Sequence, residues 1–523
     1  ARTVNAPLKP WDMRMESIAR SRHIFEAGAW LTTIDLSQGY FHNRIHDDFT
    51  KFLGFQFEGQ YWAHVALPMG LRISASLFSK TVRQLVIKWR AQGIVLCHYL
   101  DDFCIVAQSK KSAAAHSTIV QQDLREFGFI INEEKSSLTP KQTATFLGFV
   151  IDTSGASSTI AVTESRKLKA RKLISKLQTA YEAHRQVRVK ELASAAGMLM
   201  SMALAVGPSV HRRSRALYEA IERRDHWNAS IYIEAYDAAE LQFWDGLIPL
   251  LQPTMLIPTS IDDLSPMILR VDASAIAMGG WLAESYAAAT DGHAYNALRG
   301  ACSQEEAAAL FHDGTASIAW ELMSPSVAVK ADGTPTASTF REVWGILHAL
   351  QSFATTLNGR ALIVYCDNLS ARSILERGSS LRYINELVIA THELLASHGI
   401  TADFRWQPRT EMQAADAISK WEGEWRLTEG AFESLGGLRQ FDIDIFASET
   451  ANHGLEFYGP AFSPSCDADH VDAFTRPWPA DRMCLIFPPP RLINRAITHL
   501  RASKGRGVLI TPAPRNEDWS RRT

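Results

Sequence analysis

Cysteine is scarce and unpaired in this chain: Cys97, Cys104, Cys302, Cys366, Cys466 and Cys484 are the six among 523 residues, without a CxxC spacing or an accompanying histidine pattern. That scarcity argues against a structural zinc site and a disulfide framework, and fits a reducing intracellular compartment, cytoplasm or nucleus. A secretory leader is accordingly not expected. Long apolar runs are missing as well. The longest uncharged stretch, Leu192 to Val210, is interrupted by Ser194, Gly197, Ser201, Gly207, Pro208 and Ser209. It is expected to pack as a helix inside the protein, with no membrane partner. Charge of one sign is lacking too: 54 Lys and Arg against 56 Asp and Glu leave a formal net charge of -2. The balance is local, however. Basic residues dominate from Arg166 to Arg224, clustering at Arg166-Lys167-Lys169-Arg171-Lys172 and Arg212-Arg213-Arg215. With Leu173, Leu177 and Tyr181 at i, i+4 spacing, this stretch reads as a helical surface presenting cations to a polyanion.

What the chain does have is acid in apolar surroundings. Tyr99-Leu100-Asp101-Asp102 lies between Ile94-Val95-Leu96-Cys97-His98 and Phe103-Cys104-Ile105-Val106. Such flanks suit two buried strands, which places the acidic pair at a hairpin tip. Two carboxylates about 4 Å apart repel by roughly 4 kcal/mol at an effective dielectric near 20, a cost that a divalent cation offsets. Upstream, the apolar segment Leu31 to Phe41 is read as extended and delivers Asp35, with an aromatic, Tyr40, five residues later. Leu67-Pro68-Met69-Gly70-Leu71 makes a turn, Ser74 to Ile87 has helical spacing, and Gly128 to Lys135 and Phe146-Leu147-Gly148-Phe149 follow.

In this order, over about 150 residues, these segments resemble the polymerase motifs of reverse transcriptases. The resemblance implies a right-hand polymerase palm in which Asp35, Asp101 and Asp102, with Leu36 beside Asp35, hold two Mg²⁺ (or Mn²⁺) for phosphoryl transfer. It also implies that Tyr40 stacks beneath the incoming sugar, that Met69 and Gly70 contact nucleotide and template, and that Lys135 sits near the pyrophosphate. The expected partners are an RNA template, a DNA primer, an RNA–DNA hybrid and deoxynucleoside triphosphates. Basic residues that the family carries on a fingers hairpin before Arg2-Thr3-Val4-Asn5 are not in the sequence, so the chain is read as a piece of a longer polyprotein.

A second acidic set follows the break from Gln252-Pro253 to Ser265-Pro266. Asp272 ends the strand Met267 to Val271, with Met278 to Leu282 as an antiparallel return. Glu342 lies on a helix of period near 3.6, Asp367 ends the strand Leu362 to Cys366, and Asp416 opens a helix. Four carboxylates on different elements can converge on an α/β sheet. They resemble the ribonuclease H fold, which implies that Asp272, Glu342, Asp367 and Asp416 ligate two Mg²⁺ for cutting the RNA strand of a hybrid. The long interval before Glu342 is read as an insertion at about 287–335. The loop Gln407 to Gln413 lacks the histidine that some members use.

The last hundred residues hold a strand with acid, Phe441 to Ser448, then Asn452, and Met483 to Pro490 before a helix from about Leu492 to Arg501 and a strand at Gly507 to Ile510. They resemble an adenine methyltransferase-like domain of Rossmann-like shape. Phe487 stands where that family has a polar side chain and Pro490 where it has an aromatic, so no methyl transfer is expected.

The fold expected is therefore a multidomain α/β and α+β chain: 1–155 partial fingers and palm, 156–260 helical, basic thumb and connection, 261–422 ribonuclease H-like, and 423–523 methyltransferase-like. Domain order resembles the polyprotein of DIRS-type retrotransposons, with gypsy-type elements as the alternative. The function expected is RNA-directed DNA polymerase (nucleotidyltransferase) with ribonuclease H (endonuclease) activity. The rival reading is a catalytically silent nucleic-acid-binding remnant or scaffold.

Overall fold

The computed structural model describes residues 2–9, 15–274, 277–284, 316–323, 336–419, 427, 429–437, 439–447, 453–459, 473–488 and 492–511. The chain divides into two compact units, Ala1–Pro258 and Thr259–Thr523.

In the first unit, four strands form a sheet ordered β4-β5-β1-β6: β1 (Trp30–Asp35), β4 (Val95–Tyr99), β5 (Asp102–Ala107) and β6 (Ser137–Lys141). A separate hairpin, β2 (Gly54–Phe57) and β3 (Gln60–Ala63), is exposed along both strands. Alternation sorts the side chains of β4 and β5 by face. Leu96, Phe103 and Ile105 pack with Phe78, Val82 and Trp89 of the helix Ser74–Ala91 and with Val120 and Leu124 of the helix Lys110–Glu126. Cys97, Cys104 and Val106 turn to the opposite core.

That opposite core also takes in a second sheet, ordered β12-β9-β8-β7, from β7 (Thr143–Phe146), β8 (Phe149–Asp152), β9 (Thr159–Val162) and β12 (Thr254–Met255). The short pair β10 (Val187–Arg188) and β11 (Ser230–Ile231) stands apart. Several helices complete the core, among them Glu164–Glu182, Val189–Met200, Arg215–Glu222 and Ala235–Leu247.

Three readings of the sequence change here. The extended run ends at Asp35 rather than Phe41, because Gln38 takes a left-handed φ of 52° and Gly39–His42 forms a 3-10 turn. The uncharged stretch is not one helix: Val189–Met200 is followed by short turns on either side of Gly207, whose φ is 86°. Among the described residues no helix is long and apolar enough to cross a membrane. In the helix Glu164–Glu182 Leu177 is fully buried and Leu173 and Tyr181 pack against the core as expected, beside the buried Ala170, Ile174 and Ala180, but the basic residues do not all lie opposite them. Lys169, Arg171, Lys172 and Lys176 are exposed as expected. Arg166 is instead an internal contact that donates to the Leu147 and Ser201 carbonyls and lies over the Phe149 ring. Arg212, Arg213 and Arg215 are half-buried, Arg213 over Phe243.

The second unit contains a five-stranded sheet ordered β15-β14-β13-β16-β17: β13 (Met267–Ala273), β14 (Ala277–Ala283), β15 (Ala316–Leu322), β16 (Ala361–Cys366) and β17 (Thr401–Trp406). The first three are antiparallel and β13, β16 and β17 are parallel. The expected insertion at 287–335 therefore contains a strand of the sheet itself, since β15 covers the whole length of β14; most of the remainder lies outside the described residues. One face of the sheet takes the helix Ser338–Phe353 and the other takes the helix Gln413–Ser419. A smaller parallel sheet, ordered β19-β18-β20-β21, is built from β18 (Ile443–Ile445), β19 (Glu456–Tyr458), β20 (Met483–Ile486) and β21 (Arg506–Leu509). The helix Ile493–Ser503 connects its last two strands.

Candidate active sites

Pairing of β1 with β5 sets Asp35 directly opposite Asp102, and pairing of β4 with β5 leaves Leu100 and Asp101 as the turn. Leu100 accepts a left-handed φ of 54° there, a conformation that costs a non-glycine residue roughly 1–2 kcal/mol. The backbone is held by the Leu36 amide donating to Asp101 O (3.1 Å), the Asn132 amide to Asp35 O (2.8 Å), and the Asp35 amide to Ser136 Oγ (3.0 Å). All three carboxylates are half-buried. Burial first, then the neighbouring Asp101 and Asp35, push the Asp102 carboxyl up to about 6. Burial and Asp35 also raise Asp101, against the pull of Lys135. Ionised, this set repels itself, which is what a site for divalent cation requires.

A cavity of about 460 Å³ opens beside it, lined by Asp35, Leu36, Tyr40, Met69, Asp101 and Lys135, with Gly39, Phe78 and Asn132. Tyr40 packs edge-on against Phe78 at 5.5 Å, and Lys135 is exposed at the rim. Gly70 is held one step away, its carbonyl accepting from Asn5 Nδ2 at 2.9 Å. The sequence reading gives Gly39, inside the segment Leu31 to Phe41, no role. A Cβ there would lie 2.8 Å from the buried Phe78 ring and 3.3 Å from Asp101 Cβ, so only glycine lets the turn pass beneath the acidic tip. Asn132 and Ser136 were likewise unassigned, although Asn and Ser ahead of a strand are the usual side chains for pinning a turn.

The second site gathers its acids from both faces of the five-stranded sheet. Asp272 on β13 is 2% exposed and Glu342 is 5% exposed, whereas Asp367, after β16, and Asp416 are half-buried. Oxygens of Asp272, Glu342 and Asp367 lie within 4.8 Å of one another. Ser419 Oγ donates to Asp272 Oδ2 at 2.5 Å. Trp406 Nε1 donates to the Asp367 carbonyl at 3.0 Å. Burial, then Asp272 and Asp367, hold the Glu342 carboxyl well above its ordinary range, and its Oε2 is buried with no hydrogen-bond partner. An orphaned buried carboxylate oxygen beside two other acids fits a cation ligand. A cavity of about 430 Å³ adjoins the set, lined in part by Glu342, Asp367, Asn368, Arg341 and Arg409.

Arg409 was read only as part of a loop lacking a histidine. Its guanidinium faces Asp367 Oδ2 (3.4 Å), Asp416 Oδ1 (3.3 Å) and Asp272 Oδ1 (4.0 Å). In the C-terminal sheet Phe487 is half-buried just beyond β20. Asn452 and Pro490 lie outside the described residues. Burial pushes Asp444 on β18 up to about 7.

Residues 9–151 match the family model described as reverse transcriptase (RNA-dependent DNA polymerase). The matched residues contain the whole Asp35, Asp101 and Asp102 site. The Gag-Pol polyprotein of Walleye dermal sarcoma virus is 30% identical over 128 residues, 24% of this chain and 7% of that protein. The Pro-Pol polyprotein of Feline foamy virus is 33% identical over 129 residues, 24% of this chain and 11% of that protein. The Pol polyprotein from transposon gypsy of Drosophila melanogaster is 25% identical over 130 residues, covering 25% and 12%. The chain thus spans a small fraction of these relatives. A solved foamy viral protease-reverse transcriptase in complex with RNA/DNA hybrid aligns at 19% identity and a TM-score of 0.41, covering 77% of this chain and 48% of that one.

Proposed function

We propose that the chain is an RNA-directed DNA polymerase of a retroelement that also degrades the RNA strand of the hybrid it makes. The observation that carries this reading is the facing of Asp35 and Asp102 across paired strands, with Asp101 in the turn, over a cavity also lined by Tyr40, Met69 and Lys135. All of these residues fall inside the stretch 9–151 that matches the reverse transcriptase family model. The proposed partners are RNA template, DNA primer, deoxynucleoside triphosphate and RNA–DNA hybrid.

Asp35, Asp101 and Asp102, with the Leu36 backbone, would hold two Mg²⁺ or Mn²⁺ in the first site, and Asp272, Glu342, Asp367 and Asp416 two in the second. Bound there, the ions would neutralise phosphate oxygens and activate a primer hydroxyl or a water. Tyr40 positions the incoming sugar against Phe78, and Lys135 supplies a cation for the triphosphate at the cavity rim. In the second unit Ser419 fixes the Asp272 carboxylate and Trp406 the Asp367 backbone, so the acids are oriented before substrate arrives. The exposed Lys169, Arg171, Lys172 and Lys176 offer one helix surface to the duplex backbone.

The all-parallel C-terminal sheet supports the Rossmann-like reading of the tail, and the order of the domains supports a DIRS-type element. Primer extension on an RNA template with Mg²⁺ tests the function. Wild type is expected to extend and Asp101→Asn to lose at least a hundredfold in rate, as for loss of a metal ligand. Equal extension by both would remove Asp101 from the mechanism, and no extension by a full-length wild type would favour the silent scaffold.

A further inference from the structure

Arg409 stands in the 3-10 turn Arg409–Glu411, between two anchored ends. On one side the Gln407 amide donates to Cys366 O at 3.0 Å, and Gln407 Oε1 accepts from the buried Arg270 at 3.1 Å. On the other side Met412 is fully buried. The turn is thus fixed to the sheet while the Arg409 side chain remains 68% exposed. Its guanidinium reaches three of the four acids of the second site, Asp367 and Asp416 most closely. The fourth, Glu342, lines the same cavity and keeps a buried oxygen, Oε2, without a hydrogen-bond partner.

The cluster is therefore unequal. Among the described residues no ion pair reaches Glu342, whereas Asp367 and Asp416 are each paired with the exposed Arg409 on its flexible stem.

We propose that Arg409 is an exchangeable internal counter-ion of the ribonuclease H-like site: it pairs with Asp367 and Asp416 and gives way to a divalent cation, so that it weakens ion binding more on the Asp416 side than on the Glu342 side. The proposal rests on the two-ion reading of this site. Physically, a divalent ion and a guanidinium cannot both occupy the same carboxylate oxygens, so the free energy of the pair is subtracted from that of ion binding. Because the side chain is mostly in water, the subtraction is modest and the exchange reversible.

Calorimetric titration of Mn²⁺ into the full chain tests this, in an Asp101→Asn, Asp102→Asn background that silences the palm. The background chain is expected to bind one ion more tightly than the other. Arg409→Ala strengthens the weaker ion about tenfold and the tighter one by less, the size expected from removing one partly solvated charge about 4 Å away. Arg409→Lys stays near the parent, and Asp416→Asn abolishes the weaker ion. Thermal unfolding gives a second readout: without metal Arg409→Ala melts below the parent, and with saturating Mn²⁺ the two converge. Unchanged or weaker ion binding in Arg409→Ala would overturn the proposal. Ion binding that survives Asp272→Asn unaltered would overturn the metal-site reading beneath it.

Discussion

Asp35 and Asp102 face each other in register, and Asp272 and Glu342 share a buried corner; in both places the fold keeps carboxylates together at a cost to its own stability. The same sign of effect occurs away from either site. Glu240, on the helix Ala235–Leu247, is buried and accepts the Leu217 amide at 3.1 Å, yet burial pushes its carboxyl up to about 7. A raised acid is protonated in the native state where it would be ionised unfolded, so stability falls as pH climbs from about 4.5 through 7 and is level above that. Glu240→Gln removes this dependence while keeping an acceptor for Leu217. Thermal melts should show the gap between variant and wild type widening in the variant's favour by about 2 kcal/mol between pH 5 and 8, roughly 5 °C for a unit of this size. A gap independent of pH would mean that Glu240 does not titrate differently in the folded chain.

At the scale of elements, the second site depends on how closely its two helices approach the sheet. A Cβ on Gly279 of β14 would lie 2.5 Å from Ala415 O and 2.8 Å from Ile418 Cβ, and closer still to the Ser419 amide nitrogen. Gly345 on the helix carrying Glu342 meets Ala273 and Met278 in the same manner, at 3.1 and 3.2 Å. Gly279→Ala must push the helix Gln413–Ser419 outward, taking Asp416 and the Ser419 hydroxyl away from Asp272. The expected outcome is a loss of about 1–3 kcal/mol in the second unit, with hybrid cleavage falling at least tenfold and primer extension unchanged. Hybrid cleavage at the wild-type rate would show that this contact does not position the acids.

Such approaches explain what was legible in the sequence and what was not. Acids at the ends of apolar runs could be read locally, because strand length and flanking composition place Asp101, Asp272 and Asp367 without knowledge of their neighbours. The strand Ala316–Leu322 was hidden inside an expected insertion because only its pairing with β14 marks it as part of the sheet. The end of the extended run at Asp35 depended on one left-handed residue, Gln38. Arg409 carried no local signal: its partners lie on β13, after β16 and on a later helix, and a lone arginine in a polar loop ordinarily meets solvent.

For the whole molecule, the two compact units divide the acids cleanly, Asp35, Asp101 and Asp102 in the first and Asp272, Glu342, Asp367 and Asp416 in the second. Residues 9–151 carry the family match, and the second unit extends the proposed chemistry from copying a strand to removing it. The central claim is that these are two independent metal-dependent sites in one chain. A single reaction with a labelled DNA primer on a differently labelled RNA template, in Mg²⁺, tests it most directly by reading primer lengthening and template shortening together. The account predicts that Asp102→Asn stops lengthening but still cuts a preformed hybrid, and that Asp367→Asn lengthens the primer normally but leaves the template intact. Loss of both activities in either variant, or template cutting that survives Asp367→Asn, would contradict it.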